Sequence, residues 1–218
     1  LQIGANINEV FVRSDQVEFG ESLAKFGIPI TEIENATLDD IAESGSPQGV
    51  LARASIPEVE VHDIAQQPRV VVVDSVQDPG NIGAIVRTAA AAQFDAVVAT
   101  KGSADLWSPR AIRASAGTIF ALDVLGNAEM SSVLDLLLGN GHTIVAAGVD
   151  GPSELKQLRN TERMTLVVGS EAHGLTAVAS QTASSYVRIP MGPNVESLNV
   201  AVAAGLIMYQ MQDNSVGQ

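Results

Sequence analysis

The chain contains no cysteine, so disulfides and thiolate zinc sites are excluded. Its histidines, His62, His142 and His173, are too scattered to form a metal set, and no metal is expected. Long apolar runs are also missing. None reaches the ~18 residues that a membrane span requires, and Leu1 opens no charged-then-apolar signal segment. A cytoplasmic location is therefore the default expectation. Leu1 is not a start methionine, and an N-terminus shortened before this residue is expected. Basic residues are scarce: 12 Lys and Arg stand against 25 Asp and Glu, for a net charge of −13. Phosphate contacts need cations, so this balance disfavours a general nucleic-acid binder.

Apolar material, by contrast, is ample. Of 218 residues, 46% are hydrophobic and 17% charged, enough core for one large or two small globular domains. The charge is unevenly spread. Residues 1–60 hold Arg13, Lys25 and Arg53 against eleven acids, net −8, and the remainder is net −5. Four cations, Arg87, Lys101, Arg110 and Arg113, fall in one short stretch.

The hydrophobic pattern divides the chain in two. In residues 1–60, "NEVFVRS" and "QGVLARASI" read as strands. "QVEFGESLAKFG" reads as a helix ended by Gly27, and "TLDDIAESG" as a helix capped by Thr37 and stopped by Gly45. Together they predict a small α/β domain. "PEVEVHDIAQQPR" is polar and proline-bounded, and residues 61–68 are expected to be a linker with some helical character. From Arg69 to Gln218 the runs "RVVVVDSV", "AVVAT", "TIFALDV", "TIVAAGVD", "TLVVGSE" and "YVRIPM" alternate with helical or loop segments. Such a pattern predicts a parallel sheet covered on both faces, with ligands at the strands' carboxyl ends.

Three of these runs end in polar loops. In "QDPGNIGAIVRTAAAA", Pro79-Gly80 makes a tight turn, and Asn81 is the candidate cap of the following helix. Ile82, Ile85, Val86, Ala89 and Ala90 form its buried stripe, leaving Arg87 roughly 130° away and pointing sideways or outward. "GNIG" looks like a dinucleotide loop, but the G-x-G-x-x-G order is absent and a nicotinamide reading is weak. In "VVGSEAHG", Gly169 allows close backbone approach to a ligand, and Glu171 stands at a strand's end; a plain glycine turn is the alternative. In "RIPMGPNVESLNVAVAAGLIMYQ", Ser197 is the candidate cap and Asn199 belongs to the first turn, where free N–H groups face any bound ligand.

Taken in order, these stretches, with "LWSPRAIRASAGTIF" between the first two, resemble the motifs of the SpoU/TrmH branch of the SPOUT RNA methyltransferases. The resemblance runs from about Arg69 to Gln210, and residues 1–60 resemble the ribosomal-protein-like substrate-recognition domain that often precedes it. It implies a deep trefoil knot, a rare topology, and a homodimer with composite sites. S-adenosylmethionine would contact Gly169, Ile189, Met191 and Leu198, while Arg87, Asn81, Glu171, Ser197 and Asn199 correspond to the polar catalytic residues. Lys101, Arg110 and Arg113 would join Arg87 on RNA phosphates. The implied reaction is methyl transfer to a ribose 2′-hydroxyl, with ribosomal RNA ranked ahead of transfer RNA. A non-catalytic RNA-binding protein with the same fold is the competing class.

Overall fold

The computed structural model describes residues 4–42, 48–148, 153–154 and 161–212. The chain forms two compact units, Leu1–Pro57 and Glu58–Gln218.

In the first unit, β1 (Ile7–Arg13) is flanked by β2 (Ile30–Ile33), parallel to it, and β3 (Val50–Ala54), antiparallel. Alternation along β1 turns Val10 and Val12 inward, where they pack with Ile28 and with Leu23 of α1 (Val17–Ala24). Gly27, at φ +73°, closes the turn after α1, in accord with the sequence expectation. The second helix, α2 (Asn35–Ile41), starts earlier than expected. Glu34 takes the extended backbone at its entrance, so Thr37 lies inside the helix and does not cap it. Gly45, the expected stop, lies outside the described residues.

The second unit begins with α3 (Val61–Gln66), within the stretch expected as a linker. Two features hold it in place: a capping box between Glu60 and Asp63, and complete burial of Ile64. Then follow β4 (Arg69–Asp74), α4 (Pro79–Ala91), β5 (Ala96–Thr100), α5 (Pro109–Ala114), β6 (Asp123–Ala128), α6 (Met130–Gly139), β7 (Thr143–Ala147) and β8 (Ser153–Glu154). The unit ends with β9 (Met164–Gly169), α7 (Ala177–Thr182), β10 (Ser185–Arg188) and α8 (Val200–Met211). The sheet has seven strands in the order β6-β5-β4-β9-β7-β10-β8, every pair parallel. "TIFALDV" is not a single strand: residues 118–121 form a 3-10 turn behind left-handed Gly117, and β6 starts at Asp123.

The β4 valines show how both faces are buried. Val71 and Val73 pack with Ile82, Ile85 and Val86 of α4 and Ala204 and Ile207 of α8. Val70 and Val72 pack with Ile64 of α3 and Leu134 and Leu137 of α6. A run apolar at every position is what a two-sided strand demands. Asp78 caps α4, accepting hydrogen bonds from the Gly80 and Asn81 amides at 2.6 and 3.3 Å, with Pro79 in the first turn. Asn81, the expected cap, is therefore one turn further in, and its side chain is left free for other work.

Candidate active site

The loops after β4 and β9 are neighbours because Asp74 and Gly169 end adjacent strands in register. The buried Asp74 carboxylate ties them, accepting the Thr176 amide at 2.6 Å. Ser170 and Gly174 exchange backbone hydrogen bonds of 3.1 and 2.8 Å, closing the turn that displays Glu171. A Cβ on Gly169 would stand 2.3 Å from the carbonyl of Gly174 and 2.6 Å from the Leu175 amide. A side chain at position 169 is thus excluded by the chain's own backbone. Glycine here permits the turn before it permits any ligand.

Beyond this turn the third loop, residues 189–199, closes over a cavity of about 750 Å³. Gly169, Ile189, Met191 and Leu198 all line it, with Glu171 and Ser197. Its walls are largely apolar, completed by Val168, Val187, Val200 and Ile207, with a few polar groups among them. That volume and character suit a cofactor-sized ligand. Sequence reasoning missed Ala147 at the end of β7, Gly148 after it, and Tyr186 on β10, whose hydroxyl donates to the Ser180 carbonyl at 2.6 Å. Nothing local marked them; they meet the cavity through sheet order alone.

The entrance of α8 corrects the sequence expectation. Its cap is Asn199, whose Oδ1 accepts the Ala201 and Val202 amides at 2.9 and 3.3 Å; Ser197 stands before the helix, on the cavity. With that oxygen engaged, Asn199 Nδ2 donates to Asn81 Oδ1 at 2.9 Å, and Asn81 Nδ2 donates to Glu171 Oε1 at 2.7 Å. The relay has one direction: helix amides to Asn199, to Asn81, to the carboxylate. It joins all three loops, with Glu171 on the cavity and Asn81 and Asn199 on a neighbouring groove between α4 and α8.

The cations are placed differently. Arg87 is exposed on α4, about 9 Å along the axis from Asn81, and does not line the cavity. Lys101 pairs with Glu129 at 2.6 Å, and Arg110 with the α4 cap Asp78 at 3.2 Å. Arg113 is exposed on α5 and, like Arg87, forms no ion pair among the described residues. Asp78 was legible in hindsight, since Asp before Pro is a strong helix-start signature. A second, apolar groove of about 440 Å³ lies between α4 and α8, lined by Asn81, Ala84, Thr88, Asn199, Ala201, Val202, Gly205, Leu206 and Tyr209. Among the described residues, no helix is long and apolar enough to cross a membrane, and no group of three potential metal ligands occurs.

Residues 68–209 match the model of the SpoU rRNA methylase family, and residues 1–60 that of the RNA 2′-O-ribose methyltransferase substrate-binding domain. The chain belongs to the SpoU rRNA methylase family. The two matches describe a ribose 2′-O-methyltransferase of RNA with its own substrate-binding domain, and this is the enzyme class of the chain. One SpoU relative is the 23S rRNA (guanosine(2553)-2′-O)-methyltransferase RlmP of Bacillus subtilis, 29% identical over 94% of this chain and 81% of its own length. An AdoMet-bound rRNA methyltransferase from Sinorhizobium meliloti superposes with a TM-score of 0.83 at 26% identity, over 96% of this chain and 81% of its own. A TrmH/SpoU tRNA-modifying enzyme from A. aeolicus has a TM-score of 0.59 at 25% identity, over only 70% of this chain and 79% of its own.

Proposed function

We propose that this protein methylates a ribose 2′-hydroxyl of ribosomal RNA, with S-adenosylmethionine in the 750 Å³ cavity. The observation that carries this reading is the Asn199–Asn81–Glu171 relay, which ends on the cavity at Glu171 and runs from there to the α4/α8 groove that Asn81 and Asn199 line. When bound, S-adenosylmethionine supplies an electrophilic methyl group. Gly169, Ile189, Met191 and Leu198 hold the cofactor, partly through backbone groups. Glu171, Asn81, Ser197 and Asn199 orient the ribose beside it, and alignment of this kind is worth several kcal/mol. Arg87 keeps its proton, because a guanidinium does not readily lose one. It clamps the adjacent phosphate and stabilises the alkoxide that develops at the 2′-oxygen. Arg110 and Arg113 extend the phosphate contact, and Lys101 joins once it leaves Glu129.

Ribosomal RNA ranks ahead of transfer RNA because a 23S rRNA methyltransferase matches 94% of this chain, whereas the tRNA-modifying enzyme aligns with only 70%. A homodimer follows from two features. The α4/α8 groove leaves Val202, Leu206 and Tyr209 about half exposed, as a face between two copies would. Arg87, absent from its own chain's cavity, is free to reach a partner's. The strand order supports a knot, because β10 lies between the consecutive strands β7 and β8. A cytoplasmic location fits an RNA substrate of this kind.

Calorimetry with S-adenosylmethionine, S-adenosylhomocysteine and NAD tests the cofactor; binding of NAD alone would overturn it. Nucleoside mass spectrometry of RNA from cells lacking the gene should show the loss of one 2′-O-methylnucleoside from ribosomal RNA. Loss from transfer RNA would transfer the reading to that substrate. Deoxyribose at the target should abolish the product; persistent methylation would make a base the acceptor.

A further inference from the structure

The substrate-binding unit matches an RNA-recognition domain yet carries net −8 over residues 1–60, so phosphate attraction does not explain how it holds RNA. Two of its three cations are already committed. Arg13 pairs with Asp39, and Arg53 with Glu9 at 3.2 Å. Lys25 forms no ion pair among the described residues, and its Nζ lies 5.2 Å from the centroid of the Phe26 ring. Phe26 is 57% exposed and Phe19 50%. Residues seven apart on a helix differ by about 20° around the axis and ~10 Å along it. Phe19 and Phe26 therefore share one stripe of α1 and the turn after it, where the Phe26 amide donates to the Leu23 carbonyl at 2.9 Å. Gly20 and Leu23 take the sheet side, and the stripe runs along the edge of that buried face with both rings exposed. Exposed Glu18 and Glu21 share the flank of Lys25 and keep that flank from attracting phosphates broadly.

We propose that Phe19, Phe26 and Lys25 form the surface by which this unit takes unpaired bases of its RNA substrate, an inference that rests on the RNA methyltransferase reading above. Exposed rings stack on any base and need no neutralised backbone. Lys25 strengthens the ring it covers and offers a charge to the phosphate next to the stacked base. The acidic surround repels a duplex, whose phosphates are dense and whose bases are hidden, more than a single strand that presents its bases first. An acidic recognition domain is then a selector for unpaired RNA.

The test uses the full chain with a short fluorescently labelled oligoadenylate and a duplex RNA of equal length. Tighter binding of the single strand is expected. Phe19→Ser with Phe26→Ser should weaken it by about fivefold or more, and the paired Phe→Tyr variant should stay within about twofold. Lys25→Gln should reduce the salt slope by about one counterion. S-adenosylhomocysteine affinity should be unchanged throughout. Wild-type oligoadenylate binding by the serine pair, or preference of the native chain for duplex, overturns this surface and leaves the methyltransferase reading intact. Unchanged RNA affinity with a shift from dimer to monomer would make the stripe a contact between protein chains. Failure of the native chain to bind S-adenosylhomocysteine would instead overturn the methyltransferase reading.

Discussion

Asn199 performs two tasks with the two ends of one amide, and they can be separated. Asn199→Ala removes both, costing about 1 kcal/mol for the lost cap and breaking the tie to Asn81. Asn199→Asp keeps a good cap but offers no N–H donor to Asn81. Thermal denaturation should find the aspartate variant near wild type and the alanine variant lower, while both lose methyl transfer. An active aspartate variant would show that the relay is dispensable. His142 makes a different prediction at the same scale. Burial, chiefly, holds its native pKa below the usual 6.5, with the nearby Arg163 charge acting in the same direction. Below about pH 6.5 the unfolded chain binds a proton that the native chain refuses. The stability His142 contributes is therefore complete above that pH and is lost as pH falls through it. Asp95, whose native pKa is raised chiefly by burial, works in the opposite sense and at lower pH. Melting temperatures followed from pH 7 to pH 5 should fall more steeply for wild type than for His142→Gln; parallel curves would remove the histidine from the account.

Among elements, the α4–α5 contact fixes where the first loop sits. A Cβ on Gly83 would stand 2.3 Å from the Ala111 carbonyl oxygen and 2.6 Å from the Ala114 Cβ. Gly83→Ala should therefore force the helices apart at a cost of about 1–3 kcal/mol, lowering the melting temperature by about 2–12 °C. Because α5 carries Arg110, which meets the α4 cap Asp78, activity should fall further than stability explains. Calorimetric melting beside initial rates would show this, and an unchanged melting point would mean the helices shift at no cost. The sequence marked α4 as amphipathic and named most of its buried face: Ile82, Ile85, Val86 and Ala89 are buried, while Ala90 is half-buried. What it could not supply was the partner. Gly83 reads as an ordinary weak helix residue until α5 is seen against it.

For the whole molecule, the apolar α4/α8 groove and the position of Arg87 set the test. Leu206→Glu, placing a charge on the half-exposed face, should give monomers by light scattering, with methyl transfer lost and S-adenosylhomocysteine binding largely kept. Arg87→Ala and Asn199→Ala chains should each be inactive alone. If the proposed homodimer has composite sites, co-expression should give a heterodimer in which one site has both native residues and the other neither, and activity should return to at most half of wild type. No recovery from a verified heterodimer would put both residues in one chain's site.

The sequence by itself determined the α/β class, the second unit's two-sided sheet and the loops that matter. Continuous apolar runs have no other use than burial on both faces, and three polar loops after such runs have few places to go. The four residues that the family resemblance named for the cofactor, Gly169, Ile189, Met191 and Leu198, line one cavity. Tertiary structure alone decided which polar atoms meet. Asn81 and Asn199 are 118 positions apart, and their hydrogen bond exists only because β4 and β9 are adjacent and α8 packs on α4. It likewise decided that Asp78 and Asn199, in place of Asn81 and Ser197, cap their helices. A capping residue is chosen by where the backbone first turns helical, and several neighbouring side chains can serve equally until packing fixes that point. The exposed pair Phe19 and Phe26 belongs to the same class of decision: spacing aligns them on one stripe, but only the packed sheet shows which stripe faces water.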